Sequence, residues 1–171
     1  MKNKIVLFLI LLLILTGIFI YKNRIQNITN TPNQESLASE DTVIEDYLNS
    51  NILKPEFGGK VFCVFKKYGS EEKDYQAFYY LWVYCEEYYK KGDDVLMGSG
   101  VSVPVKLNAL KKENEIIIEN FTQPIDGEGY SESIKNMFPE KYANKAIDGL
   151  NINKFLESPK EKALSFYKNH W

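Results

Sequence analysis

One histidine, two cysteines and no excess of basic residues in 171 positions close off several kinds of chemistry. A cysteine or serine nucleophile needs a nearby base, and a transition-metal site usually needs imidazoles. The single candidate, His170, stands one residue from the end of the chain, where fraying is usual. No metal site and no cofactor are therefore expected. Cys63 and Cys85 allow one disulfide at most. The "GSG" at 98–100 lacks the Lys-Ser/Thr of a phosphate loop and opens a strand rather than a helix, so it reads as a bulge or turn. No internal repeat is visible.

Charge is distributed unevenly. Residues 1–24 hold Lys2, Lys4, Lys22 and Arg24 and no acid. That leaves 17 of the 21 basic residues against all 23 acids, a net charge of −6 for the remainder. Binding of phosphate backbones rests on clustered Lys and Arg, so a nucleic-acid partner is disfavoured. At 14% aromatic, with 12 Tyr and 10 Phe, the chain is too aromatic to be disordered. Its length suits one domain with a sizeable core.

What the N-terminus does have is a long apolar run, IVLFLILLLILTGIFIY at residues 5–21. At about 1.5 Å per helical residue it covers roughly 25 Å, which snorkelling by Lys4 and Lys22 brings to the span of a bilayer core. A cleaved signal peptide is the competing reading. The run ends in Phe-Ile-Tyr-Lys without a small-x-small cleavage site, which favours a retained anchor over residues 1–24. The positive-inside comparison across the span is nearly balanced. A single N-terminal span ahead of an acidic domain gives the expectation of a single-pass cell-membrane protein with its C-terminal domain outside. Residues 25–40, rich in Asn, Gln, Ser and Thr, read as a polar linker, and 41–171 as the domain.

The domain is expected to be α+β. Thr42 and Glu45 match a capping box ahead of a short helix carrying Ile44, Tyr47, Leu48 and Ile52 on one face. "KPEFGG" (54–59) then breaks the chain. Strands follow at 60–67, 74–91, 98–110 and 114–122, rich in β-branched and aromatic residues and joined by short polar connections. Such connections favour antiparallel neighbours. Pro104 marks an edge or bulge in the third strand. Short helices are predicted at 130–138, at 139–147 with Pro139 first, and at 158–171 with Ser158 and Glu161 as its capping box. An N-terminal transmembrane helix, then a four-stranded antiparallel sheet packed with helices, suggests a cystatin-like or nuclear-transport-factor-like roll.

The second strand carries the densest functional signal. Its even positions, Phe78, Tyr80, Trp82, Tyr84 and Tyr88, combine apolar bodies with polar tips. Its odd positions, Tyr79, Leu81, Val83 and Cys85, look like core. Either the C-terminal helices cover the even face, or it is a binding groove for a partner. Glu86 and Glu87 are adjacent in a strand and point to opposite faces, so they cannot flank one glycosidic bond. They read as solvated strand-end charges. Cys63 and Cys85 either form a disulfide or remain two buried thiols. A hairpin centred on Asp74 sets them opposite each other, whereas one turning at Ser70–Lys73 does not. "DGEGY" (126–130) reads as a tight turn rather than a calcium loop.

"FGGKVFC" (57–63), "EYYKKGD" (87–93), "GSGVSVPV" (98–105) and "DGEGYSESIKNMFP" (126–139), in this order, resemble an uncharacterised family of membrane-tethered or secreted domains of low-GC Gram-positive bacteria. The resemblance covers about residues 50–147 and implies an outside location without bringing a known activity. Asn27 and Asn120 match the glycosylation sequon, which carries little meaning in a bacterial chain. The expected function is a membrane-anchored, extracytoplasmic binding or interaction domain without enzymatic activity, whose partner is another envelope protein or a glycan. The alternative is a cell-envelope glycan hydrolase using an acid on the aromatic strand, such as Glu86, with a second carboxylate nearby.

Overall fold

The structure, a computed structural model, describes residues 39–112, 115–149 and 158–170. The apolar run at 5–21 and the linker up to residue 38 lie outside the described residues. Among those described, no helix is long and apolar enough to cross a membrane.

The domain is α+β, with a four-stranded antiparallel sheet and helices on both faces. Helix α1 (Glu40–Asn51) comes first, followed by strands β1 (Lys60–Lys73), β2 (Gln76–Lys91), β3 (Asp94–Lys112) and β4 (Glu115–Thr122) in simple meander order. Helices α2 (Tyr130–Met137), α3 (Glu140–Ile147) and α4 (Pro159–Asn169) complete the chain.

Helix α1 starts earlier than its sequence suggests. Ser39, not Thr42, is the N-cap, accepting the Thr42 N–H at 3.2 Å, and Glu40 and Asp41 place negative charge at the positive end of the helix dipole. Residues 39 and 40, linker by composition, thus belong to the helix. Pro139 likewise sits at the N-cap of α3 rather than inside it, while α4 carries the full Ser158–Glu161 capping box.

The β1–β2 hairpin is longer than its polar residues suggest. Glu71, Glu72 and Lys73 remain in strand, and the chain reverses at Asp74–Tyr75, with Asp74 at φ 55°. Aspartate tolerates that left-handed conformation better than most residues. A one-residue bulge at Tyr68 then sets Cys63 directly opposite Cys85. Their Cα atoms are 4.1 Å apart, the spacing of a pair that exchanges no backbone hydrogen bonds. The Cys63 N–H accordingly points off the sheet edge, where the Asn49 side chain of α1 accepts it at 2.7 Å.

The odd face of the sheet packs under α1. Ile44 and Leu48 lie against Cys63, Tyr79, Leu81, Val83, Cys85 and the β3 residues Val105 and Leu107. The even face has two smaller covers. Helices α2 and α3 bring Ile134, Phe138, Ala143 and Ala146 onto Tyr80. Helix α4 sets Ala163, Phe166 and Tyr167 on Phe62 and Tyr88.

Candidate functional site

The five aromatic residues of the even face do not form an open surface. Tyr80, Trp82 and Tyr88 are buried, and only Phe78 and Tyr84 remain half-exposed. Tyr80 meets Phe138 edge-on at 5.3 Å, and Tyr88 meets Phe62 likewise at 6.4 Å. Each polar tip has a partner. The Tyr80 hydroxyl donates to Glu71 at 3.2 Å and the Trp82 indole N–H to Ser102 Oγ at 2.9 Å. Helices thus cover Tyr80 and Tyr88, while Phe78 and Tyr84 keep part of their surface.

Glu86 and Glu87, read as solvated from sequence, are both buried. Their burial has a physical cause in each case. Glu86 lies on the even face between residues two positions away on either side. The Tyr84 hydroxyl donates to its Oε1, and the Tyr88 hydroxyl to its Oε2 at 2.6 Å. Burial and this carboxylate together push the Tyr84 phenol up to about 12 and raise Tyr88 as well. Both carboxylate oxygens are thus occupied by protonated phenols, and Glu87 points to the other face. That geometry does not favour a glycan hydrolase built on Glu86.

Glu87 is the more informative of the two. It sits beneath the loop between α1 and β1, opposite a bulge in which Gly98 and Ser99 of β3 face a single β2 residue. Its Oε1 accepts the N–H groups of Phe57 at 2.8 Å and Gly59 at 2.9 Å; its Oε2 accepts the Glu56 N–H at 2.8 Å and the Ser99 hydroxyl at 2.9 Å. Burial alone raises a carboxyl pKa, but these four donors outweigh it and draw Glu87 down to about 2. The close approach requires glycine. A Cβ on Gly98 falls 2.8 Å from Glu87 Oε2, and one on Gly59 only 2.3 Å from the Tyr88 carbonyl oxygen.

This anchored loop presents Phe57, more than half exposed, stacked on Tyr89 with ring centroids 5.4 Å apart. The same end of the sheet carries exposed Met97 and Leu164. Here a cleft of about 630 Å³ between the β2–β3 turn and α4 is lined by Asp93, Asp94, Val95, Leu164, Tyr167 and Lys168. No local pattern in the sequence marks this anchored loop, because the donors to Glu87 come from residues 56–59 and from Ser99.

Cys63 and Cys85 form a disulfide, fully buried under α1. "GSG" is the bulge just described, and "DGEGY" is a turn feeding α2 through Gly127 at φ 86°. His170 stacks on Phe166 at 4.2 Å with its Nδ1 2.8 Å from the Phe166 carbonyl oxygen. No group of three or more potential metal ligands occurs among the described residues. Compared with known proteins, the chain matches no protein family, no curated protein and no solved structure.

Proposed function

We propose that this chain is a single-pass membrane protein whose residues 5–21 anchor an extracytoplasmic α+β binding or interaction domain, without enzymatic activity. The buried Cys63–Cys85 disulfide carries the reading, because such bonds form and persist in oxidising compartments and are rare in the cytosol. The apolar N-terminal run, the acidic remainder and the resemblance to membrane-tethered or secreted domains of low-GC Gram-positive bacteria support it. The finer architecture belongs to the same proposal: a sheet curled on α1 in the manner of cystatin-like or nuclear-transport-factor-like rolls.

The contact surface is the end of the sheet that carries Phe57, Tyr89, Met97 and Leu164. An exposed Phe57 ring stacked on half-buried Tyr89, in a loop held by a buried carboxylate, is a preorganised platform for another envelope protein or a glycan. Protease added to intact cells, followed by non-reducing mass spectrometry of the released fragments, tests the location. Cleavage near residues 25–38 with the 63–85 bond intact is the expected result. A protected domain with two free thiols overturns the proposal.

A further inference from the structure

We infer that the opposite end of the sheet rests on the lipid surface, in a contact made by Tyr75, Leu110 and Ile117. This rests on the membrane-anchored reading above. The register builds one row across all four strands: Lys73 beside Gln76, Gln76 beside Leu110, and Leu110 beside Ile117. Tyr75 stands at the adjoining hairpin tip, its carbonyl accepting the Lys111 N–H at 2.8 Å. Tyr75 is 69% exposed, Ile117 53% and Leu110 39%. An aromatic residue with a polar tip beside two exposed aliphatics is the composition that settles at a membrane–water interface.

Connectivity selects this end. The chain enters the domain at Ser39, where α1 begins. That first turn is tied down here: Glu40 accepts the Tyr79 hydroxyl at 3.1 Å and pairs with Lys67, and Asp41 pairs with Lys67 at 3.0 Å. Residues 22–38, 17 positions, are all that separates the apolar run from this point. Strand β2, of 16 residues, is about 50 Å long. The chain thus enters the domain at the Tyr75 end, which favours this end for a lipid contact, while Phe57, Met97 and Leu164 lie at the far end of the strand. Tethering also raises the local concentration of lipid, so a small apolar contact suffices.

The charge here is mixed. Lys73, Lys111 and Lys112 stand among Glu71, Glu72, Asp74 and Glu115, and Lys111 is paired with Glu72. There is no basic excess to seek anionic lipid, so the contact is apolar and indifferent to salt.

The test uses full-length protein in phosphatidylcholine vesicles with brominated acyl chains. Tyr75→Trp and Ile117→Trp each add a reporter at the proposed contact, and Phe57→Trp adds one at the far end. After subtraction of the unsubstituted protein's emission, at least about twofold quenching is expected at 75 and 117 in low and high salt, with none at 57. Protein that stays with the vesicles but is unquenched at 75 and 117 overturns this contact and leaves the anchor standing. Quenching that vanishes in high salt overturns its apolar character. Protein that does not stay with the vesicles removes the anchor and this inference together.

Discussion

On one face of β2, Tyr79, Leu81, Val83 and Cys85 run under a single helix as part of one continuous core. On the other, Tyr80 lies under α2 and α3 and Tyr88 under α4, in two separate clusters with Trp82 and Tyr84 between them. The difference explains the residue types. A single helix over a sheet demands aliphatic complementarity along its length. Several short helices leave seams, and there a residue with an apolar body and a polar tip can fill volume while its tip meets Glu71, Ser102 or Glu86. Tyrosine and tryptophan on this face are thus the packing solution for a divided cover.

If both faces are core, Trp82→Ala should cost about 3–5 kcal/mol in chemical denaturation, as buried aromatic truncations do. A loss below about 1 kcal/mol, typical of surface positions, makes the even face a surface after all. Replacing both cysteines by alanine tests the other face. The 22-residue separation of the bridged positions gives a loss of about 3 kcal/mol through the unfolded chain. A smaller disturbance separates the two acids. The carboxyl of Glu87 is depressed in the folded state, so its contribution is complete above pH 4.5 and is lost as pH falls toward about 2. Glu87→Gln should lower stability at neutral pH by less than loss of the disulfide, and flatten the decline between pH 4.5 and 2. An unchanged acid limb removes Glu87 as its cause. Smallest, Ser158→Ala should cost about 1 kcal/mol by unmaking the α4 cap, without altering the α1 face.

Much of this was legible in the residues, and the rest failed for identifiable reasons. The four strands, the C-terminal helices and the Ser158 cap follow from periodicity and capping chemistry alone. Glu71, Glu72 and Lys73 look like a loop in the sequence, whereas a hairpin extending past its core keeps polar residues in strand. A one-residue bulge at Tyr68, invisible to periodicity, then decided that the two cysteines face each other. The acidic pair looks solvated in the sequence because charge normally is, yet both carboxylates are buried. The partners of Glu86 stood two positions away on its own face, but those of Glu87 are backbone groups from a loop some thirty residues earlier, which no local pattern reveals.

The Asn49 side chain that takes up the Cys63 N–H has a consequence for how copies of this protein behave when crowded. An outer strand with free backbone donors invites a neighbouring molecule to extend the sheet. Here α1 occupies one such donor directly, and the Glu45–Lys162 ion pair links α1 to α4. On β3, pairing with β4 begins only at Lys106, and the stretch before it is interrupted by the Gly98–Ser99 bulge and by Pro104, which has no N–H to offer. These stretches of β1 and β3 therefore offer a neighbouring copy little to pair with edge to edge.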